Sequence, residues 1–476
     1  MTVENINVEE AIARVNDLVA QEKHLSPALK ASLEVLLLLV TILANRLGLN
    51  SKNSSKPPSS DPNRKRKPKE QAKRRPGGQR GHKGITLKPF PDPDLIKVIQ
   101  VDRSTLPQGD YRSVGFETRQ VVDLDISKFI TEWRAEILEN QKGKRYVAPF
   151  PKDVTRPVQY GIGVKVNAVY MSQYQLIPYN RIEDHFLDQM GIPVSAGSIV
   201  NFSKDTFERL ESFESWVKEQ LVSSVLIHSD ETGINIGGTR RWLHTVSNEE
   251  FTCYYPHSKR GSEAMDEMGI LPAYHGIICH DHWKPYFKYG GSHAFCNAHH
   301  MRELERAVEQ DKQEWAGQMI ALLKEINMAT HDAGGCLEAV RSEHYRKRYR
   351  DLLREAEAEC PPPDETGKKK RVKTARSKAR NLLERLRDFE NETLRFMVDQ
   401  NVPFSNNQAE SDLRMTKVQQ KISGCFRSMD GAKIFCRIQS YLSTCRKQGI
   451  TASDALRLLF QGKYPSFMDV KEQCAE

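Results

Sequence analysis

Two aspartates stand where short, strongly apolar runs end. Asp230 closes Val225-Leu226-Ile227-His228-Ser229-Asp230, and Asp281 closes Gly276-Ile277-Ile278-Cys279-His280-Asp281. Runs of this length and composition read as buried strands, so each carboxylate emerges where a strand meets solvent. On neighbouring strands of one sheet the two acids would lie a few ångströms apart, which is costly for like charges unless cations neutralise them. Taken singly, either aspartate reads more simply as a surface or turn residue. A third acid, Glu410, lies in Asn406-Asn407-Gln408-Ala409-Glu410-Ser411-Asp412-Leu413-Arg414, where Ser405 or Asn406 can cap a helix. Arg414, Lys417 and Lys421 share its face at offsets of four, seven and eleven, which suits a metal site beside a phosphate backbone. The plainer reading is an i,i+4 pair between Glu410 and Arg414 on a solvated face. Together the three acids suit in-line displacement at phosphorus, with two divalent ions, Mg2+ or Mn2+, bridged by the carboxylates.

The elements that must position these acids are legible in outline. After Asp230 come Gly237-Gly238, then Arg241 to Val246, then Phe251 to Tyr255, three strands of an antiparallel meander. A short helix over Ser262 to Met268 and the strand ending at Asp281 follow. Strands that first meander and then alternate with helices predict a mixed sheet flanked by helices, the order of ribonuclease H-like domains. Residues 160 to 220 are helical in pattern. Within them, Ile182 to Met190, the turn Gly191-Ile192-Pro193 and a helix capped by Ser195 or Ser198 have helix-turn-helix proportions, as does any ordinary helical pair. Residues 298 to 400 are rich in helix formers and read as a helical insertion. Asn406 to Gln461 returns to helix, with Gly424, Gly431 and Gly449 as breaks.

Composition points to a polyanionic partner. The 476 residues carry a net charge of +9. Residues 51 to 84 alone hold twelve Lys and Arg against two acids, so the remainder is close to neutral. With few apolar residues and many Pro and Gly, this stretch reads as a disordered arm whose Arg64, Lys65, Arg66, Lys67, Arg74 and Arg75 can release counterions from DNA. A solvated linker is the alternative. Ahead of it, residues 5 to 47 predict two helices broken near Ser26-Pro27, with an apolar stripe that either self-associates into a homo-oligomer or docks on the chain's own body. The longest apolar run, Val35 to Val40, reads as too short to span a bilayer. Nine scattered cysteines argue against a disulfide framework and for a reducing cytoplasm, where a DNA-bound protein would be nucleoid-associated.

These residues bring a family into view: the chain resembles the DDE transposases of the insertion sequence 66 family. The likeness rests on S-K-N-S-S-K-P-P-S-S-D at 51 to 61, R-R-P-G-G-Q-R-G-H-K-G at 74 to 84 and H-S-D-E-T at 228 to 232. It continues in R-R-W-L-H at 240 to 244, H-D-H-W-K-P-Y at 280 to 286, C-N-A-H-H-M-R-E-L at 296 to 304 and N-N-Q-A-E-S-D-L-R at 406 to 414. The resemblance implies a ribonuclease H-like catalytic domain whose metal-binding triad is Asp230, Asp281 and Glu410. It also implies an enzyme that binds the terminal inverted repeats of a mobile element, cleaves there and transfers the 3′ ends into target DNA, with accessory proteins of the same element as possible partners. Members usually carry paired cysteines in a zinc module after the basic arm, but residues 85 to 150 hold neither Cys nor His. No zinc is therefore expected there.

The expected chain is thus a multidomain α/β protein. A helical segment (1–49) precedes the disordered basic arm (50–90), a small β-rich module (91–155) and a helical DNA-binding region (156–221). The catalytic domain begins over 222–310, takes the insertion over 311–400 and ends in helices over 401–465. Cys296, His299 and His300, with Cys279, His280 and His282, read either as a second metal cluster or as core and hydrogen-bonding residues around the triad. Trp242 and Trp283 read as core or as DNA wedges. Two other functions fit parts of the pattern: a DNA-binding regulator with merely structural acids, and a stand-alone nuclease of the same fold.

Overall fold

The apolar run ending at Asp230 becomes the middle strand of a five-stranded sheet in this computed structural model. The structure describes residues 2–3, 6–22, 25–47, 49–50, 52–54, 87–363 and 376–471. β1 (Leu226–Ile236), β2 (Thr239–Ser247) and β3 (Thr252–His257) form the antiparallel meander, turned at Gly237 and Gly238, both at positive φ. β4 (Ile277–His280) and β5 (Ser292–Phe295) add in parallel on the other side, giving the order β3-β2-β1-β4-β5. The parallel register pairs Leu226 with Ile277, Ile227 with Ile278 and His228 with Cys279. Carried two residues further, the same offset sets Asp230 level with Asp281 on strands about 4.8 Å apart.

Strand alternation gives the sheet two apolar faces. Ile227, Val246, Cys253 and Ile278 look into one core; Cys279 and Ala294, with Leu226 and Ile277 packed alongside, belong to another. The helices sort accordingly. α1 (Val8–Gln21) and α2 (Pro27–Leu47) form the N-terminal pair. The first face is covered by α3 (Ile162–Val169), α4 (Tyr179–Met190), α5 (Ala196–Arg209), α6 (Glu211–Val222) and α7 (Ser262–Met268), joined later by the last two helices. The second face carries α8 (Asn297–Asp311) and the insertion helices α9 (Glu314–Asp332), α10 (Ala339–Glu359), α11 (Lys378–Asp388) and α12 (Glu390–Leu394). α13 (Asn407–Ser423), α14 (Met429–Lys447) and α15 (Ala452–Phe460) end the fold. Leu413 of α13 packs with Ile234, Ile236 and Leu243, so this helix lies against the outer half of β1 and β2.

The helical pair at 179–209 has the expected turn. Gly191 ends α4 in the left-handed conformation, and Ser195, rather than Ser198, caps α5 by accepting from the Ser198 amide. Ile182, Phe186, Ile199 and Phe202 of the pair are buried in the first core.

Several expectations are corrected. Residues 91–155 were expected to be strand-rich, yet 96–101 and 120–124 form no strand. One hairpin, Ile137–Glu139 with Arg145–Val147, is the regular sheet found there. Alternation makes a strand only when a partner supplies hydrogen bonds and a core, and Ile99, Val121 and Phe129 stand about nine-tenths exposed. Gly431 does not break a helix; it lies in the first turn of α14, where its amide donates to Ser428. Cys296 precedes α8 as its N-cap residue. α2 runs 21 residues without interruption, about 30 Å at the helical rise. By length and composition it could cross a membrane, against the expectation drawn from its six-residue apolar run. Its Val35, Leu36, Leu38, Leu39, Leu43 and Leu47 are exposed, while its end meets α8 through the Asn45 carbonyl, which accepts from Gln310.

Candidate active site

Asp230 and Asp281 are each fastened through one carboxylate oxygen. Oδ1 of Asp230 accepts from the Glu231 amide at 2.8 Å, and Oδ1 of Asp281 accepts from the Trp283 amide at 3.0 Å. The second contact exists because His282, a non-glycine residue, turns the chain at φ 68°. Left-handed backbone at such a residue carries about 1 kcal/mol or more of strain and is retained where the surroundings demand it. The Asp230 carboxyl is pushed well above the usual carboxylate range, first by burial and then by the charges of Glu231, Asp281 and Glu410. All three acids named from the sequence therefore lie near enough for their charges to act on one another.

Beside them lies a network that sequence reasoning missed. The Glu231 side chain is fully buried; it accepts from the Tyr286 hydroxyl at 2.6 Å and from Nε and Nη2 of Arg260 at 2.8 and 2.6 Å. Burial and Asp281 raise its pKa, while Tyr286 and Arg260 oppose the rise. The Arg260 guanidinium sits 4.9 Å from the ring centre of Trp242 and 4.2 Å from that of Trp283. The two tryptophans thus flank a cation that anchors a buried acid. Glu231 follows Asp230 directly and Tyr286 closes the motif at 280 to 286, signals that were available; Arg260 carried none, because it reaches Glu231 across the fold.

Glu410 arrives through α13, and Asn406 sets that helix in place. Asn406 precedes the helix yet makes no side-chain cap. Instead its buried amide bonds Nδ1 of His228 at 2.7 Å and donates to the Ser229 carbonyl at 2.9 Å. Its backbone amide donates to Sγ of Cys296 at 3.1 Å. One residue therefore ties the start of α13 both to β1, just ahead of Asp230, and to the start of α8. Further along, Lys417 donates to the Gly233 carbonyl at 2.6 Å and so fastens α13 to β1. Arg414 and Lys421 of the same helix are exposed.

The cations facing Glu410 come from α8 rather than from α13. Nδ1 of His299 is 3.9 Å from Oε1 of Glu410, and Nη2 of Arg302 is 3.7 Å from Oε2. Oε1 of Glu410 and Nδ1 of His299 are both buried without a hydrogen-bond partner among the described residues. Burial and Arg302 lower the His299 pKa and favour the neutral ring. Cys296, His299 and Glu410 form a group that could hold a metal ion, their ligand atoms lying within 4.8 Å of one another. The Cys296 thiol is pushed up to about 11 by burial. Orphaned buried acceptors beside a second and third carboxylate fit a cation at this place.

The wider histidine cluster does not gather there. His280 is fully buried, pairs with Nδ1 of His293 at 3.0 Å and is held well below the usual range by burial. His300 pairs with Asn297, and Cys279 belongs to the core of the second face. A second group, His257, Glu263 and Glu267, lies apart on α7 and β3 with both acids exposed. Arg64, Lys65, Arg66, Lys67, Arg74 and Arg75, with the motifs at 55–61 and 74–84 and the basic run Lys368 to Arg371, lie outside the described residues.

Comparison with known families places this geometry. The model of the Transposase IS66 family matches residues 158–434, which contain every acid described above. A family of unknown function, DUF6444, matches residues 2–88. Comparison with curated proteins gives no match.

Proposed function

Since the chain belongs to the IS66 transposase family, we propose that it cleaves and joins DNA at a site built from Asp230, Asp281 and Glu410. The observation that carries this is the convergence of three carboxylates from β1, the end of β4 and the first turn of α13 on one partly buried point. A meander followed by two parallel strands, with the first aspartate on the middle strand and the second beside it, supports a ribonuclease H-like reading of the sheet. Two divalent ions, Mg2+ or Mn2+, would supply activation of the attacking oxygen and charge stabilisation of the leaving one.

The chain's own residues do the positioning. The Glu231 and Trp283 amides each hold one oxygen of an aspartate and so fix the carboxylates in place. Arg260 and Tyr286 hold Glu231 rigidly beside Asp230, and Asn406 fixes the distance from β1 to Glu410. Arg302, Arg414 and Lys421 offer positive charge for the phosphate backbone on either side of the acids. The arm residues Arg64 to Lys67, Arg74 and Arg75 would add binding to the element's terminal inverted repeats and to target DNA. The exposed apolar residues of α2 support a homo-oligomer joined through that helix, as two-ended cleavage requires.

The test is metal-dependent nicking and strand transfer on a duplex carrying an element end. Wild type is expected to release and then transfer a 3′ end, while Asp230→Ala, Asp281→Ala and Glu410→Gln each lose both reactions. Undiminished activity in the three variants would refute the site. Hydrolysis without any transfer would favour a stand-alone nuclease.

A further inference from the structure

We propose that Nδ1 of His299 is a ligand of the same divalent ion as Glu410, which makes this part of the site a mixed nitrogen and oxygen site that selects Mn2+ over Mg2+. The inference rests on Glu410 being a metal ligand, as argued above. His299 lies in the first turn of α8 and Glu410 in the first turn of α13. The two helix starts are bound to each other: the Asn297 amide donates to the Phe404 carbonyl at 3.0 Å, and the Asn406 amide donates to Sγ of Cys296 at 3.1 Å. The separation of the two side chains is thus set by backbone contacts and not by their own attraction.

That separation is informative. At 3.9 Å, Nδ1 of His299 and Oε1 of Glu410 are too far apart for a hydrogen bond, and both atoms are buried without one among the described residues. Two buried polar atoms facing each other at this distance have lost their hydration with nothing in return unless something lies between them. Ligand atoms each about 2.0–2.2 Å from one ion fall within such a spacing. The third member of the group, Cys296, offers a soft sulfur that suits neither Mg2+ nor Mn2+, so the donors expected at the ion are one imidazole and one carboxylate. Imidazole is a poor ligand for Mg2+, which prefers oxygen and retains its waters; Mn2+ also prefers oxygen but, as a first-row transition ion, accepts an imidazole nitrogen more readily than Mg2+ does.

The experiment reads metal binding directly, in the absence of DNA, on the full chain loaded with Mn2+. Electron spin echo envelope modulation of the bound Mn2+ is expected to show coupling to nitrogen-14 in wild type and none in His299→Ala or His299→Gln. Titration is expected to show Mn2+ binding at this site weakened tenfold or more in both variants, with Mg2+ binding changed less than twofold. Wild-type Mn2+ without nitrogen coupling would overturn the proposal, and this measurement needs no variant to fold. Coupling that persists in both variants would overturn it too. A chain that binds Mn2+ through His299 but never cleaves DNA upholds this inference and refutes the proposed function. Acid-dependent cleavage with no nitrogen coupling does the reverse.

Discussion

Replacing Asn406 by Ala tests whether the proposed active site is held together in the way described. The side chain is buried, and so are both its partners, Nδ1 of His228 at 2.7 Å and the Ser229 carbonyl at 2.9 Å. Removing it deletes two hydrogen bonds worth about 1 kcal/mol each and leaves two buried groups unpaired at about 1 kcal/mol or more each, so a loss of about 3–5 kcal/mol is expected. The backbone bond to Cys296 survives, so the start of α13 should loosen without detaching. Because Glu410 follows one helical turn later, its carboxylate is expected to drift by about an ångström, at a cost on the order of 100-fold in cleavage rate. Stability is read by urea unfolding, and cleavage at a temperature where the variant remains folded. A cycle with His228→Ala should return a coupling of about 1–2 kcal/mol between the two side chains. A destabilisation below 1 kcal/mol together with unchanged cleavage would refute the reasoning, because the bridge would then hold nothing.

Other outcomes can be checked separately. Asp230→Asn removes a charge crowded by Glu231, Asp281 and Glu410, so the metal-free variant should melt higher than wild type by roughly 2–4 °C while losing activity; a lower melting point would contradict the crowding. Arg260→Ala strips a fully buried carboxylate of its bidentate partner and should destabilise by about 2–3 kcal/mol, with part recovered in the Arg260→Ala, Glu231→Gln double variant. The buried His244 has its pKa lowered from 6.5 to about 4 by burial, so its stabilisation is fully present above pH 6.5 and is lost as pH falls toward 4. Denaturation midpoints should therefore fall on acidification, by about 1.4 kcal/mol per pH unit for this residue. Burial lowers His228, His280 and His300 in the same direction, so a midpoint flat between pH 7 and 5 in the Asp230→Asn, Glu231→Gln background, which removes the opposing proton uptake at those raised carboxyls, would contradict the whole set. Neutralising Arg64, Lys65, Arg66, Lys67, Arg74 and Arg75 should flatten the slope of log K against log salt by up to about 5, and an unchanged slope would reject the arm as a DNA contact.

Local pattern alone located the acids and the elements that carry them. The runs ending at Asp230 and Asp281 announce strands because they are continuously apolar, and the 51 residues between the acids equal the offset of the parallel pairing; the pattern misplaced one end, since β1 does not stop at Asp230 but runs on to Ile236, paired with β2. The helix around Glu410 is legible for the same local reason. Residues 96–101 and 120–124 show where pattern misleads, since alternation describes a strand's faces without providing a neighbour to pair with. What tertiary structure decided is which partners those acids have. Glu231 meets Arg260 and Tyr286, Glu410 meets His299 and Arg302, and Asn406 reaches back 178 residues to His228. No spacing rule connects such residues, because their proximity follows from how helices close over the two faces of the sheet. The amino-acid order thus determined the chemical groups and the strands and helix that carry them, while packing determined the distances, burial and shared hydrogen bonds that bring those groups together at one site.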